Sequence, residues 1–285
     1  MKHKTIIIVY ILTIFCCNSF AQQSRVESLL YDMKNHPEHI WVTAHRGAHQ
    51  KYPENTLASM REAIRMNVDI IEIDVRETKD HELVLIHDET IDRVTGENGY
   101  VKDLTLKEIQ KKNLLFKGEQ TNYNIPTFSE ALDELKGKAI INIDFKAGYE
   151  EALSKACLLI KEKGMEQEAF IYIYNHYEII TCLQKKYPWI NIWPRAYSRE
   201  DINTILTFSN IKIIQIDFSF YDDDWTKKLI KQGIRVSANA LGKYDDMQRQ
   251  NVNGFEEIIK KQVNVIETDL PEELVWFLKN KGLRL

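Results

Sequence analysis

Short, β-branched and nearly unbroken apolar runs recur along the chain, and the stretches between most of them carry apolar residues at helical spacing. The runs are IWVTAH (40–45), IIEIDV (70–75), AIINIDF (139–145), FIYIY (170–174), INIWPRA (190–196), IKIIQIDF (211–218), RVSANA (235–240) and NVIETDL (264–270). Continuous apolar character marks strands covered on both faces, and alternation with amphipathic helices is the pattern of βα units. Eight such units in about 250 residues predict an α/β fold, a TIM (β/α)8 barrel. An open doubly wound sheet is the alternative, because strand count alone does not prove closure.

One connection breaks the rhythm. More than sixty residues separate Asp74 from the third main strand. They hold a hairpin-like ELVLIHDETIDRVTG, a helix at LTLKEIQKKN, and a helix starting after IPT in IPTFSEALDEL. A small insertion after the second strand is therefore expected, at the barrel end where long loops shape a substrate site. With no internal repeat, low-complexity tract or Pro/Gly-rich linker, residues 22–285 read as one domain.

The first 21 residues stand apart. Lys2 and Lys4 precede an apolar run from Thr5 to Cys17, and Ser19-Phe20-Ala21 offers small residues at a cut before Gln22. This is the form of a secretory signal. The run of 13 residues is shorter than the roughly 17 to 25 that span a bilayer. Phe15 stands where a lipoprotein signal needs a small residue before its Cys, so the expected product is exported, periplasmic or secreted, without a lipid anchor. Removal changes the formal charge from −4 to −4 − 2 = −6 and leaves Cys157 and Cys182, both on predicted helices. These either pair across neighbouring helices or stay as free thiols.

Lys plus Arg number 38 against 42 Asp plus Glu, with no block of like charge. That excludes a nucleic-acid face, and no long amphipathic or basic stretch offers membrane binding, so the expected partner is a small molecule. The polar residues fall in one place. His45 and Arg46 end the first strand, Glu72 and Asp74 the second, Asp144 and Lys146 the third, Asn239 the seventh and Asp269 the eighth. The carboxyl ends of barrel strands are where such enzymes keep their chemistry. Residues two apart share a face, so Glu72 and Asp74 aim together, as do Asp144 and Lys146.

Three carboxylates in one low-dielectric mouth repel one another unless a cation joins them. The all-oxygen set Glu72, Asp74 and Asp144 suits one hard divalent ion, Ca2+ or Mg2+, rather than zinc. The competing reading is a structural network of the same carboxylates with Arg46 and Lys146. A cation, a guanidinium and an ammonium together hold a phosphoryl group. His45, and His87 in LVLIHD, are then available as general acid and base. His36, His39, His49, His81 and His176 lack such neighbours and read as surface or loop residues. Asn55 or Thr56 is expected to cap a helix from about Leu57, with Glu54 turned toward the mouth as a partner for a histidine or the metal.

The ordered set AHRG, PENT, IEIDV, LVLIHDETIDRVTG, IPTFSEAL and IETDLP resembles the glycerophosphodiester phosphodiesterase family across nearly all of the chain after residue 21. The resemblance implies a TIM barrel that hydrolyses glycerophosphodiesters, the deacylated phospholipids, to glycerol 3-phosphate and an alcohol. It further implies His45 and His87 as the acid/base pair, Glu72, Asp74 and Asp144 as metal ligands, and Arg46 and Lys146 as phosphate ligands. The attacking group it implies is the neighbouring glycerol hydroxyl, giving a cyclic phosphate that water opens. Two positions depart from the family pattern. Asp144-Phe145-Lys146 replaces Glu-x-Lys, and Val236-Ser237-Ala238-Asn239 replaces Trp-Thr-x-Asn. Tyr174, Trp193 and Tyr197 are candidates to rebuild an alcohol pocket. Rival functions are a phosphodiesterase for another diester or a lysophospholipid, and a non-catalytic barrel that captures phosphodiesters.

Overall fold

All eight predicted runs form strands of one parallel sheet, and that sheet closes on itself. The computed structural model describes residues 24–148 and 151–284; the expected signal at 1–21, with Cys16 and Cys17, lies outside the described residues. In chain order the strands are β1 (Trp41–Ala44), β2 (Ile70–Glu77), β3 (Leu83–Leu85), β4 (Asn113–Phe116), β5 (Glu119–Asn124), β6 (Ile140–Phe145), β7 (Ala169–Ile173), β8 (Asn191–Ala196), β9 (Ile213–Ile216), β10 (Arg235–Asn239) and β11 (Val265–Thr268). The barrel runs β1, β2, β6, β7, β8, β9, β10, β11 and back to β1. Closure excludes the open doubly wound sheet.

The period of two sorts the strand residues. Ile71, Ile73, Ile141 and Ile143 face outward into a core shared with the covering helices. Trp41, Ile70, Ile140, Phe170, Trp193 and Val265 pack together inside the barrel. The helix Arg25–Asn35, started by a Ser24/Glu27 capping box, adds Leu29 and Met33 to that inner cluster. It seals the end where the strands begin. Buried Arg235 ties the seal by donating to the carbonyls of His39 at 2.8 Å and His36 at 3.1 Å, with its guanidinium 4.1 Å from the centre of the Trp41 ring. His39 is accordingly not a free surface residue: it is half-buried, with Nδ1 2.6 Å from Asp32 Oδ1.

The insertion after β2 is present, with a different internal layout. Antiparallel pairing joins β3 to the far end of β2, Val75 opposite Leu85 and Glu77 opposite Leu83. The hairpin thus forms between β2 and β3, and DETIDRVTG supplies the short helix Asp92–Thr95 that Gly96 ends at φ 75°. The expected helix at LTLKEIQKKN is one turn, Leu106–Ile109. An antiparallel β4–β5 hairpin follows, turning at Lys117 and Gly118 with positive φ. Its strand EQTNYN is mostly exposed and polar, so no alternation announced it. Val84, Ile86, Ile91, Val94, Val101 and Ile109 give the insertion a core of its own.

Cys157 is buried and Cys182 exposed, and both are free thiols. Burial pushes the Cys157 thiol up to about 12. Among the described residues, no helix is long and apolar enough to cross a membrane.

Candidate active site

The first strand delivers its chemistry through a sharp reversal. Arg46 at φ 54° and Gly47 at φ 75° turn the chain, and a Cβ on Gly47 would fall 2.5 Å from Ser59 Oγ and 2.9 Å from the Ser59 carbonyl carbon. The turn aims the Arg46 backbone N–H at Glu72 Oε2, 2.9 Å away. Thr56 caps the helix Leu57–Arg65 in a box with Ser59. Asn55 does not cap. Held at φ 55°, it donates from Nδ2 to Asp74 Oδ2 at 2.8 Å and accepts from the Asp74 backbone N–H at 3.1 Å. The PENT stretch therefore fixes one carboxylate of the mouth.

Register then assembles the acidic cluster. Asp74 lies opposite Asp144 on adjacent strands. Oxygens of Glu72, Asp74 and Asp144 all lie within 4.8 Å of one another. Arg46 Nε approaches Asp74 at 3.3 Å and Lys146 Nζ approaches Asp144 at 2.7 Å. The Tyr174 hydroxyl donates to the same Asp144 oxygen that Lys146 contacts. Asp144 Oδ1 is buried with no hydrogen-bond partner.

The bonds to Arg46 and Lys146 are those of the structural-network reading, yet they do not complete the site. Four inward carboxylates, Glu72, Asp74, Asp144 and Glu267, face three cations, of which Arg46 also serves Glu54 and Arg195 is paired with Asp217. Burial, reinforced by Asp74, Glu267 and Asp144, pushes Glu72 well above the usual carboxylate range. Burial raises Glu267 to about 7, against the opposing pull of His45. An orphaned carboxylate oxygen among crowded like charges is a site that fits a hard divalent cation, and Glu72, Asp74 and Asp144 are the residues that would hold it. The shorter Asp144 still brings an oxygen within reach of the other two.

Both histidines are paired with carboxylates. His45 Nδ1 lies 2.8 Å from Asp269 Oδ1, and His87 Nδ1 lies 2.7 Å from Asp88 Oδ1. A carboxylate at Nδ1 holds the proton there and leaves Nε2 as the exchanging atom. Burial would lower the pKa of His45, but Asp269 and Glu267 outweigh it and the net shift is upward. His49, expected on the surface, sits against this pair: its Nε2 is 3.4 Å from Asp269, its ring meets His45 edge-on at 5.8 Å, and burial lowers its pKa. The turn after β1 folds back there, and loop residues carry no periodicity to foretell it.

Glu54 also differs from expectation. It touches neither histidine nor the acidic trio. It accepts from Arg46 at 3.0 Å and takes two bonds of 2.7 Å from Arg93, whose Nε donates to Asp88 at 2.6 Å. Arg93 rides on the Asp92–Thr95 helix and outreaches any histidine for this carboxylate. Against burial, Arg93 and Arg46 hold Glu54 below the usual carboxylate range.

One cavity of about 170 Å3 collects His45, Arg46, Glu72, Asp74, His87, Asp144, Lys146 and Asn239. Glu54 stands behind its wall. Tyr172, Tyr174, Arg195 and Glu267 line it as well. Trp193 is sealed inside the barrel and Tyr197 lies over Arg195, so of the three aromatics expected only Tyr174 reaches the mouth. Glu267 was legible in principle: it lies on β11 two residues before Asp269, which directly follows that strand.

Residues 45–265 match the model of the glycerophosphoryl diester phosphodiesterase family. A glycerophosphodiester phosphodiesterase of Caldanaerobacter subterraneus subsp. tengcongensis is 33% identical over 85% of this chain and 98% of its own length. Among solved structures, a glycerophosphoryl diester phosphodiesterase from Parabacteroides distasonis superposes with a TM-score of 0.77 at 23% identity, covering 91% of this chain and 93% of the other. An Oleispira antarctica phosphodiesterase in complex with the product sn-glycerol-3-phosphate gives 0.71 at 21% identity, covering 85% and 97%. With the family model covering most of its length and a relative one-third identical along almost its whole sequence, this chain belongs to the glycerophosphodiester phosphodiesterase family.

Proposed function

We propose that the chain is an exported, divalent-cation-dependent enzyme that hydrolyses glycerophosphodiesters to glycerol 3-phosphate and an alcohol. The observation that carries the reading is the meeting, in one cavity, of two carboxylate-paired histidines, three clustered carboxylates and the cations Arg46 and Lys146. The product bound to the Oleispira antarctica phosphodiesterase supports the substrate class. Export rests on the leader-like residues 1–21, cut before Gln22.

Arg46 and Lys146 hold the non-bridging phosphate oxygens and offset the charge that builds on them. One imidazole removes the proton of the neighbouring glycerol hydroxyl as its oxygen bonds to phosphorus. The other protonates the alcohol oxygen as its bond to phosphorus breaks, and water opens the cyclic phosphate with the roles reversed. Asp269 and Asp88 keep each Nδ1 protonated so that both Nε2 atoms exchange protons. Glu72, Asp74 and Asp144 would hold a Ca2+ or Mg2+ ion, which would supply Lewis-acid charge neutralisation at the phosphate.

The test uses protein from Gln22 onward with glycerophosphocholine, glycerophosphoethanolamine, glycerophosphoglycerol and glycerophosphoinositol, in Ca2+, Mg2+ or EDTA. Turnover that EDTA abolishes and that His45→Ala lowers by about 10²- to 10⁴-fold is expected. Full activity in EDTA or in the His45 variant sinks the mechanism, and tight binding without turnover points to a capture protein.

A further inference from the structure

A second cavity opens beside the catalytic one. It has a volume of about 220 Å3 and shares Lys146 with its neighbour. Arg76 and Glu77 at the end of β2 line it, with Glu89, Tyr100 and Lys102 from the insertion. His87 stands at the junction. Arg76 Nε donates to the His87 carbonyl at 2.9 Å, and Arg76 Nη1 donates to the Lys146 carbonyl at 3.3 Å. The same guanidinium thus joins the loop bearing one candidate acid/base histidine to the loop bearing a candidate phosphate ligand.

We propose that this cavity is the subsite for the leaving alcohol and that it selects an uncharged polyol over an alkylammonium alcohol. The inference rests on the phosphodiesterase reading above. A diester held between His45 and His87 with Lys146 on its phosphate extends one arm past His87, and the space on that side is this cavity. The alcohol oxygen leaves beside His87, which protonates it as the phosphorus–oxygen bond breaks.

Three features of the lining set the selectivity. The first is size: a cavity of about 220 Å3 lies below the roughly 300–1,000 Å3 of sites for drug-sized ligands, which suits a small polyol and not a long acyl chain. The second is charge. Arg76 donates from Nε and Nη1 to backbone carbonyls and Lys146 is paired with Asp144, while the exposed His81 beside Glu77 cancels its charge only when protonated. Among the described residues no salt bridge joins Arg76, Lys102 or Glu89 to a partner, which leaves the cations Arg76 and Lys102 beside the carboxylates Glu77 and Glu89, a lining of mixed charge in which neither sign dominates. The third is the aromatic ring. Tyr100 is half exposed, but Lys102 Nζ lies 5.8 Å from the centre of its ring, so a cation already occupies the surface a quaternary ammonium would need. Hydroxyl groups both donate and accept, and they satisfy a lining of mixed charge without desolvating an unpaired ion.

Steady-state kinetics with the chain from Gln22 onward, Mg2+ or Ca2+ present, tests the assignment. Glycerophosphoinositol and glycerophosphoglycerol are compared with glycerophosphocholine on the wild type, Lys102→Glu and Glu89→Lys. The wild type is expected to favour the polyol diesters at least tenfold in kcat/KM. Lys102→Glu is expected to shift the ratio toward glycerophosphocholine by about threefold to tenfold, and Glu89→Lys to shift it the other way. Inhibition by sn-glycerol 3-phosphate, which lacks the alcohol, is expected to be the same in all three, which separates a subsite effect from misfolding. Turnover with ratios that neither variant moves, or a wild-type preference for the choline diester, overturns the subsite while leaving the phosphodiesterase reading intact. Absence of turnover on every diester overturns both.

Discussion

Arg93 grips both carboxylate oxygens of Glu54 through two bonds of 2.7 Å. One residue belongs to the insertion and the other to the loop after β1, and Arg93 also holds Asp88, the partner of His87. A chain of ion pairs running His87, Asp88, Arg93, Glu54 and Arg46 therefore connects the loops that carry the two histidines. Arg93→Ala is expected to lower kcat by about ten- to a hundredfold, as loss of a residue that orients another does. Its cost in stability should be about 1 kcal/mol or less, because Arg93 is half exposed and solvent screens its pairs. Arg93→Lys, which keeps the charge but not the fork, should fall between. Kinetics beside urea unfolding checks both; a kcat unchanged in Arg93→Ala removes the coupling.

Asp269 sets the protonation of His45 in the same way. His45 is raised above its ordinary value because Asp269 and Glu267 outweigh burial. A histidine raised in the folded state adds stability below its unfolded pKa, and the gain is lost as pH rises through the folded value. Asp269→Asn is expected to lower the His45 pKa, shrink that gain below pH 6.5 or so, and reduce kcat by about ten- to a hundredfold. NMR titration of the His45 ring reads the first effect directly.

The barrel was legible because inward and outward positions of each strand are both apolar, which only a sheet covered on both sides permits. The meeting of His45, Glu72, Asp74, His87 and Asp144 in one cavity was legible because polar residues at the carboxyl ends of barrel strands converge on the mouth. What stayed hidden depends on loops. Arg93, His49 and Asn55 act through a reversal at Arg46 and Gly47 and through a one-turn helix, neither of which has a period. The β4–β5 hairpin was hidden for another reason: its second strand is solvated, so no hydrophobic selection wrote a pattern into it.

Glu267 makes the acidic mouth sensitive to pH and to metal. Burial raises it to about 7, so between its unfolded value of 4.5 and that point the folded chain binds more protons than the unfolded one. Stability of the metal-free protein must then fall as pH rises through this window. In EDTA, Glu267→Gln is expected to flatten that slope and to be more stable than wild type at pH 8, by something on the order of 1–3 kcal/mol. Added Ca2+ or Mg2+ should stabilise the wild type and release protons. Thermal melts across pH 5 to 8, with and without cation, decide it; a wild-type slope of the opposite sign is the adverse result.

The turn at Gly47 is the last point of leverage, because it orients a backbone donor as well as a side chain. An alanine there must adopt φ 75° and place its Cβ against Ser59 backbone at 2.9 Å, where no rotamer change gives relief. The left-handed conformation and the overlap together should cost about 2–4 kcal/mol. Gly118 offers the control, since it has φ 84° and an added Cβ there would meet nothing within 4 Å, so Gly118→Ala should cost about 1–2 kcal/mol from conformation alone. The functional difference should be larger than the difference in stability. Gly47→Ala displaces the Arg46 N–H from Glu72 and the Arg46 side chain from Asp74, so cation affinity should weaken together with kcat. Gly118→Ala touches none of those groups and should retain both. Urea unfolding, calorimetric titration with Ca2+ and kinetics on the same two proteins make the comparison, and equal cation affinities would show that the turn serves the fold alone.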